Sequence, residues 1–263
     1  MDVKKEDRKK IQVARELVGF IKEIVALAKK IENHKPPNPD KCLDDKVYFY
    51  YNFLRRLVDY GNSVVILVRG KHTHAAVLVA RTAFEGLVYV ESYRKFYESL
   101  EKKWCYYAIY EAYREEYEHN SKTSADIWLR NYELQHGTDI VQKATEAFVF
   151  EERRQDWYQN LGRFSNLAER LANCGDPDLA RMEQAKRELY DPFSKVTHWT
   201  PKGIFGQDKE TFTLAAIALT FESLVGVSKV VNDECKLDFS EKLEDVWNRY
   251  QRYSRATLAR IAI

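Results

Sequence analysis

The stretch from His72 to Tyr97, HTHAAVLVARTAFEGLVYVESYRKFY, limits the possible folds more than any other part of the chain. Its middle, AAVLVARTAFEGLVYV, carries only two charges, Arg81 and Glu85. Each residue of a helix turns by about 100°, so His74, Arg81, Glu85 and Ser92 fall within about 20° of one line. Ala76, Val79, Ala83, Leu87 and Val90 form the opposite line. A helix apolar nearly all round is expected at the centre of its fold. An Arg and a Glu buried there need partners. The pattern thus predicts a central helix with a polar site, or a structural ion pair, at the heart of the protein.

The flanking sequence supplies more helices. Ile11, Ala14, Leu17, Val18, Ile21, Val25, Ala28 and Ile31 repeat at helical spacing and predict one helix over 3–33. The PPNP run at 36–39 ends it. A second helix is expected from about Asp40 to Arg69, with Tyr50, Leu54, Leu57 and Val64 on its core face, Gly61 as a weak point and Gly70 as its C-cap. A helix over about 100–119 carries Tyr106, Tyr110, Tyr113 and Tyr117 in one stripe, read as core or an oligomer contact rather than a base-stacking platform. Ser124 is expected to cap a helix to about Glu133, and Gly137-Thr138-Asp139 to open one to about Arg154. Further helices follow over 156–172 and after Asp176-Pro177 and Asp191-Pro192, each pair a capping Asp before a Pro. After the loop TPKGIFGQ, Asp208 caps a long apolar helix whose only acid past its first turns is Glu222, with Ala218 and Gly226 one turn to either side. Ser240 caps the last helix. No stretch alternates with the period of a strand. The expected fold is all-α, a bundle of about eight or nine helices with no sheet: one domain over 1–263, in which an N-terminal helix (1–34) and a linker (35–40) precede the main bundle (41–263).

Composition narrows the function classes. A net charge of +2, with acids and bases interleaved, gives no basic tail. Cys42, Cys105, Cys174 and Cys235 show neither zinc nor disulfide spacing. The N-terminus MDVKKEDRKK lacks the apolar centre of a signal peptide, and no apolar run of about 18 residues predicts a membrane span, so the expected location is the cytoplasm. The 13% aromatic content, with 17 Tyr, points to a homo-oligomer.

Two pairs carry candidate chemistry: Arg81-x-x-x-Glu85, and Ser194-x-x-x-His198 before the Gly/Pro loop. Over about 60–230 this combination resembles a family of uncharacterised bacterial all-helical proteins known only as a domain of unknown function, itself loosely similar to the HEPN-like helical proteins of phage defence and toxin–antitoxin systems. The resemblance implies that the family's Arg, Glu, Ser and His correspond to Arg81, Glu85, Ser194 and His198. In a metal-independent endoribonuclease, His198 would move the proton of a ribose 2′-hydroxyl and Arg81 would neutralise charge building on the phosphate. Glu85 would orient one of them. The structural alternative is Arg81 clamped by Glu85 and Glu222, with His198 at a helix end.

Other patterns are weaker. Arg followed by His at the HEPN spacing occurs at Arg69–His74, Arg114–His119 and Arg130–His136, and chance alone gives about one such match in a chain like this. Glu116-x-x-His119 and Glu133-x-x-His136, with Glu85, resemble part of a di-metal carboxylate set, but their order departs from that pattern. The expected function is RNA cleavage or RNA binding in bacterial defence or stress response, without metal or cofactor. Its partners would be RNA, a second copy of the chain, or a protein encoded elsewhere. The rival is a non-enzymatic helical interaction protein in which Arg81 and Glu85 hold the core, and a di-metal bundle stands third.

Overall fold

The computed structural model describes residues 3–34, 46–100, 103–148, 150 and 209–261. They form eight helices: α1 (Val3–Glu32), α2 (Lys46–Arg69), α3 (Thr73–Leu100), α4 (Lys103–His119), α5 (Lys122–His136), α6 (Thr138–Ala147), α7 (Lys209–Glu234) and α8 (Ser240–Ile261). The fold is an all-α bundle, and among the described residues there is no strand. The linker at 35–40, the start expected for α2 at Asp40, the helices expected between 156 and 199, the loop at 200–207 and the Asp208 cap lie outside the described residues.

The central helix is α7 rather than α3. It packs against α1, α2, α3 and α8. Its burial runs unbroken from Ser223 to Ser228, which takes in every side of the helix. Nothing polar is left unanswered at its buried Thr220 and Ser223, whose hydroxyls donate to the carbonyls of Ala216 and Leu219 at 2.8 and 2.7 Å. Among the described helices, α7 is the one long and apolar enough to cross a membrane, and most of that apolar stretch is buried inside the bundle. By contrast, α3 turns one line inward and leaves the other partly open. Ala76, Ala83, Leu87 and Val90 are buried, while Leu78 is 48% exposed. Short Ala and Val side chains made α3 apolar without making it central.

Glycine sets how closely α7 is approached. A Cβ on Gly61 of α2 would lie 2.7 Å from Val25 of α1 and 2.8 Å from Leu224 of α7, so the expected weak point is the notch where three helices meet. Gly226 does the same toward α3, where a Cβ would lie 2.6 Å from Leu87.

The ends of α2 and α7 share one motif. His72 N–H donates to Leu67 O (2.8 Å) and Lys71 N–H to Val68 O (3.1 Å); Leu237 N–H donates to Asn232 O (2.8 Å) and Lys236 N–H to Asp233 O (3.2 Å). These are the paired bonds of a Schellman turn. Gly70 is therefore the C-cap of α2, as expected, and the left-handed position after it falls on Lys71 (φ 61°), as it falls on Lys236 (φ 53°) after α7. Past that second turn, the Phe239 carbonyl takes the first helical bond of α8, from Leu243 at 3.0 Å. Ser240 is thus the first helical residue, and its hydroxyl accepts Asn232 Nδ2 at 2.9 Å.

Helices α4, α5 and α6 pack on one another. Among the described residues, their core of Tyr106, Ile109, Tyr110, Tyr113, Ala125, Ala144, Phe148 and Phe150 is separate from the larger core built by α1, α2, α3, α7 and α8. The tyrosine stripe lies inside it, with Tyr110 stacked on Phe148 at 5.3 Å and the Tyr113 hydroxyl donating to Asp126 at 3.0 Å. Tyr50, Tyr93 and Tyr250 are buried in the larger core. Much of the aromatic surplus is thus interior. The cap of α5 is Ser121, three residues before the expected Ser124, and its hydroxyl accepts Ser124 N–H at 3.1 Å. Gly137 (φ 96°) both closes α5 and opens α6, a conformation that a side chain would strain.

Candidate functional site

Arg81 Nε donates to Glu85 Oε1 at 3.1 Å, within one turn of α3. The two side chains are 24% and 31% exposed, so the pair sits at the surface of the bundle and not in its heart. It borders a groove of about 410 Å³ with Tyr60, Leu78, Val79 and Thr82. The polar line drawn from the sequence splits along its length: His74 is exposed, Arg81 and Glu85 are half-buried, and Ser92 is buried. Glu222 of α7 faces α8, where its charge adds to the effect of burial in raising the pKa of Tyr250. Ser194 and His198 lie outside the described residues.

The Arg–His spacings do not mark a common site. Arg114 is held by Glu118 (2.7 Å) and the Phe150 carbonyl (3.4 Å), and it lies over the Tyr117 ring at 5.1 Å, as a strut of the α4–α6 core. Arg130 and His136 are both exposed, and the His136 ring packs on Tyr132 at 4.2 Å. Glu116 accepts from Asn120 at 2.7 Å, and His119 is exposed. Among the described residues no three His, Cys, Asp or Glu side chains converge in a way that could hold a metal. The described thiol, that of Cys235, is in no disulfide and is half-buried.

A larger cleft lies where α1, the end of α2, the start of α3 and the start of α7 meet. It encloses about 720 Å³. Among the described residues five cations line it, Lys10, Arg15, Arg69, Lys71 and Lys209, against one acid, Glu210. They arrive by three local rules. Lys10 and Arg15 flank the apolar stripe of α1, and Lys10 is 9% exposed. Arg69 and Lys71 are brought together by the Schellman turn, and Lys209 is the first residue of α7. On the floor, Thr213 donates to the Lys209 carbonyl at 2.8 Å. A hydroxyl has one hydrogen, so in the 2.9 Å contact between Thr73 and Thr213 it is Thr73 that donates. That bond fixes the first turn of α3 against the first turn of α7. Ile11, Ala14, Val18 and Val68 give the cleft apolar lining as well.

Reasoning from sequence missed this cleft. Its cations sit near residues 10, 70 and 209, interleaved with acids elsewhere, so neither the net charge nor any local run revealed it. The one available signal was the basic pair on either side of Gly70.

No curated protein matches the chain, and no solved structure does. A family model described as a family of unknown function, DUF5677, matches residues 48–211. The match takes in α2 to α6, the first residues of α7, Arg81, Glu85 and three of the cleft's cations, and it leaves out Lys10 and Arg15 of α1. It covers more than half of the chain, which therefore belongs to the DUF5677 family.

Proposed function

We propose that this chain is an RNA-binding helical protein, loosely HEPN-like, that acts in the cytoplasm in bacterial defence or stress response. The observation that supports it is the cleft between α1, α2, α3 and α7, whose described lining holds five cations and one acid. Phosphodiester backbones are bound largely through such cations, with release of counterions. Cleavage is the less favoured half of the idea, because the guanidinium of Arg81 is already engaged by Glu85 at 3.1 Å. A carboxylate at that distance offsets the positive charge a phosphate would need.

The test is fluorescence anisotropy with a single-stranded RNA of about 20 nucleotides, titrated over a range of salt. For a single strand each contact adds about −0.7 to the slope of log affinity against log salt, so the one or two phosphodiesters that a single cavity can meet give a slope of about −1. Lys209→Glu should weaken binding. Absence of salt-dependent binding rejects the proposal. RNA left intact in EDTA by both the unaltered protein and His198→Ala would remove the endoribonuclease version alone.

A second observation favours the interaction-protein alternative, in which a second copy or another protein is the partner. On α5, Ile127 and Leu134 are 55% and 84% exposed and lie two turns apart on one face. If this face is an oligomer contact, Leu134→Glu lowers the mass measured by light scattering, and an unchanged mass counts against it.

A further inference from the structure

We infer that the cleft takes the terminal phosphate cluster of a nucleotide, either a free nucleoside polyphosphate or the 5′ end of an RNA. This rests on the RNA-binding reading for the second of those sources only.

The geometry points to an end rather than a track. The five cations share one cavity of about 720 Å³ instead of following a groove. That volume lies within the range of about 300–1,000 Å³ typical of small-molecule sites. Internal phosphodiesters carry one negative charge each and are spaced along the strand, so a single cavity meets only one or two of them. Among the described residues of the lining, Lys10, Arg15, Arg69, Lys71 and Lys209 stand against the acid Glu210, so positive charge predominates there. A terminal phosphate carries close to two negative charges at pH 7, and a triphosphate concentrates more within a few ångströms. The compact, highly charged group is the better match.

Two features add to it. The Thr73–Thr213 bond brings the starts of α3 and α7 together at the cleft, so two positive dipole ends meet the one negative end of α2, whose Leu67 and Val68 carbonyls are already bonded in the Schellman turn. The side of the lining formed by Ile11, Ala14, Val18 and Val68 can cover the flat face of a base or the carbon face of a ribose. The backbone is also strained here, since Lys71 holds φ at 61° where glycine would fit at no steric cost.

The experiment compares three probes on the full chain by anisotropy and competition: a 3′-labelled RNA bearing a 5′-triphosphate, the same RNA with a 5′-hydroxyl, and free ATP or GTP as competitor. The expected result is at least tenfold tighter binding of the triphosphate RNA, displacement by free triphosphate and no displacement by the nucleoside. Lys71→Glu and Lys209→Glu should each abolish the preference. Lys236→Glu, at the far end of α7, should keep it, and a circular dichroism melt checks that all three variants are folded. Equal affinity for the two RNAs, with no competition by nucleotide, overturns this inference and leaves RNA binding standing. Binding of free triphosphate without binding of RNA supports the inference and overturns the RNA reading. Binding of no probe overturns both.

Discussion

Asn232 holds Phe239 across the turn between α7 and α8: its side-chain carbonyl accepts the Phe239 N–H at 2.9 Å, while its amide donates to Ser240 Oγ at 2.9 Å. The side chain is 2% exposed, so water cannot replace these partners. Asn232→Ala should therefore cost about 2 kcal/mol, the sum of a lost buried bond and an orphaned N–H. The urea midpoint measures it. Asn232→Asp keeps the acceptor, loses the donor, and should fall between the two.

The same substitution should have opposite signs at two glycines. Gly19 is exposed on α1, and a Cβ there meets nothing within 4 Å. Gly19→Ala should stabilise by about 0.8 kcal/mol through helix propensity alone. At Gly61 the same gain is opposed by contacts of 2.7 and 2.8 Å with Val25 and Leu224. Overpacking costs about 1–3 kcal/mol, so Gly61→Ala should lower the melting temperature. A Gly61→Ala variant that melts above the unaltered protein would mean that α1 and α7 separate more easily than their packing implies.

Lys71 and Lys236 occupy equivalent left-handed positions, at φ 61° and 53°. Replacing either with glycine relieves about 1 kcal/mol of strain, and the two variants should gain similar stability. Only Lys71 lines the basic cleft. Lys71→Gly should therefore be a more stable protein that binds anions less well, while Lys236→Gly is more stable and binds as before. Denaturation and anisotropy on the same two variants separate the effects.

Stability should fall in alkali. Burial, helped by Cys235, pushes the Tyr51 hydroxyl up to about 12, and burial together with the bond to Glu16 does the same for Tyr253. Burial raises Tyr50 and Tyr250 as well. An unfolded tyrosine loses its proton near pH 10. Above that pH the unfolded chain sheds protons that the folded chain keeps, so stability is complete below about pH 10 and declines as pH rises toward 12. Urea midpoints from pH 8 to 12 check the trend. Tyr51→Phe gives up the bond to the His34 carbonyl (3.0 Å), so it starts lower at pH 8 but should decline less steeply.

Helix identity was legible because it depends on local spacing. The period of α1, the Schellman turn after α2 and the tyrosine stripe of α4 all follow from residues a few positions apart. What local spacing does not carry is which of two apolar helices is surrounded. The sequences of α3 and α7 look alike in this respect, yet Leu78 is 48% exposed, while α7 is enclosed from Ser223 to Ser228. The same limit moved Arg81 and Glu85 from the imagined centre to a half-exposed groove. It also hid the basic cleft, whose residues on α1, α2 and α7 are neighbours only once the helices have packed.

Among the described residues the two aromatic-rich cores share no member. Among those residues, lost packing at Tyr110 weakens α4–α6 without removing a contact from around Phe221, and the reverse holds as well. Cooperativity then belongs to each core separately, so a melt followed by the Trp128–Tyr132 stack and one followed by the Trp247–Phe221 stack should have different midpoints.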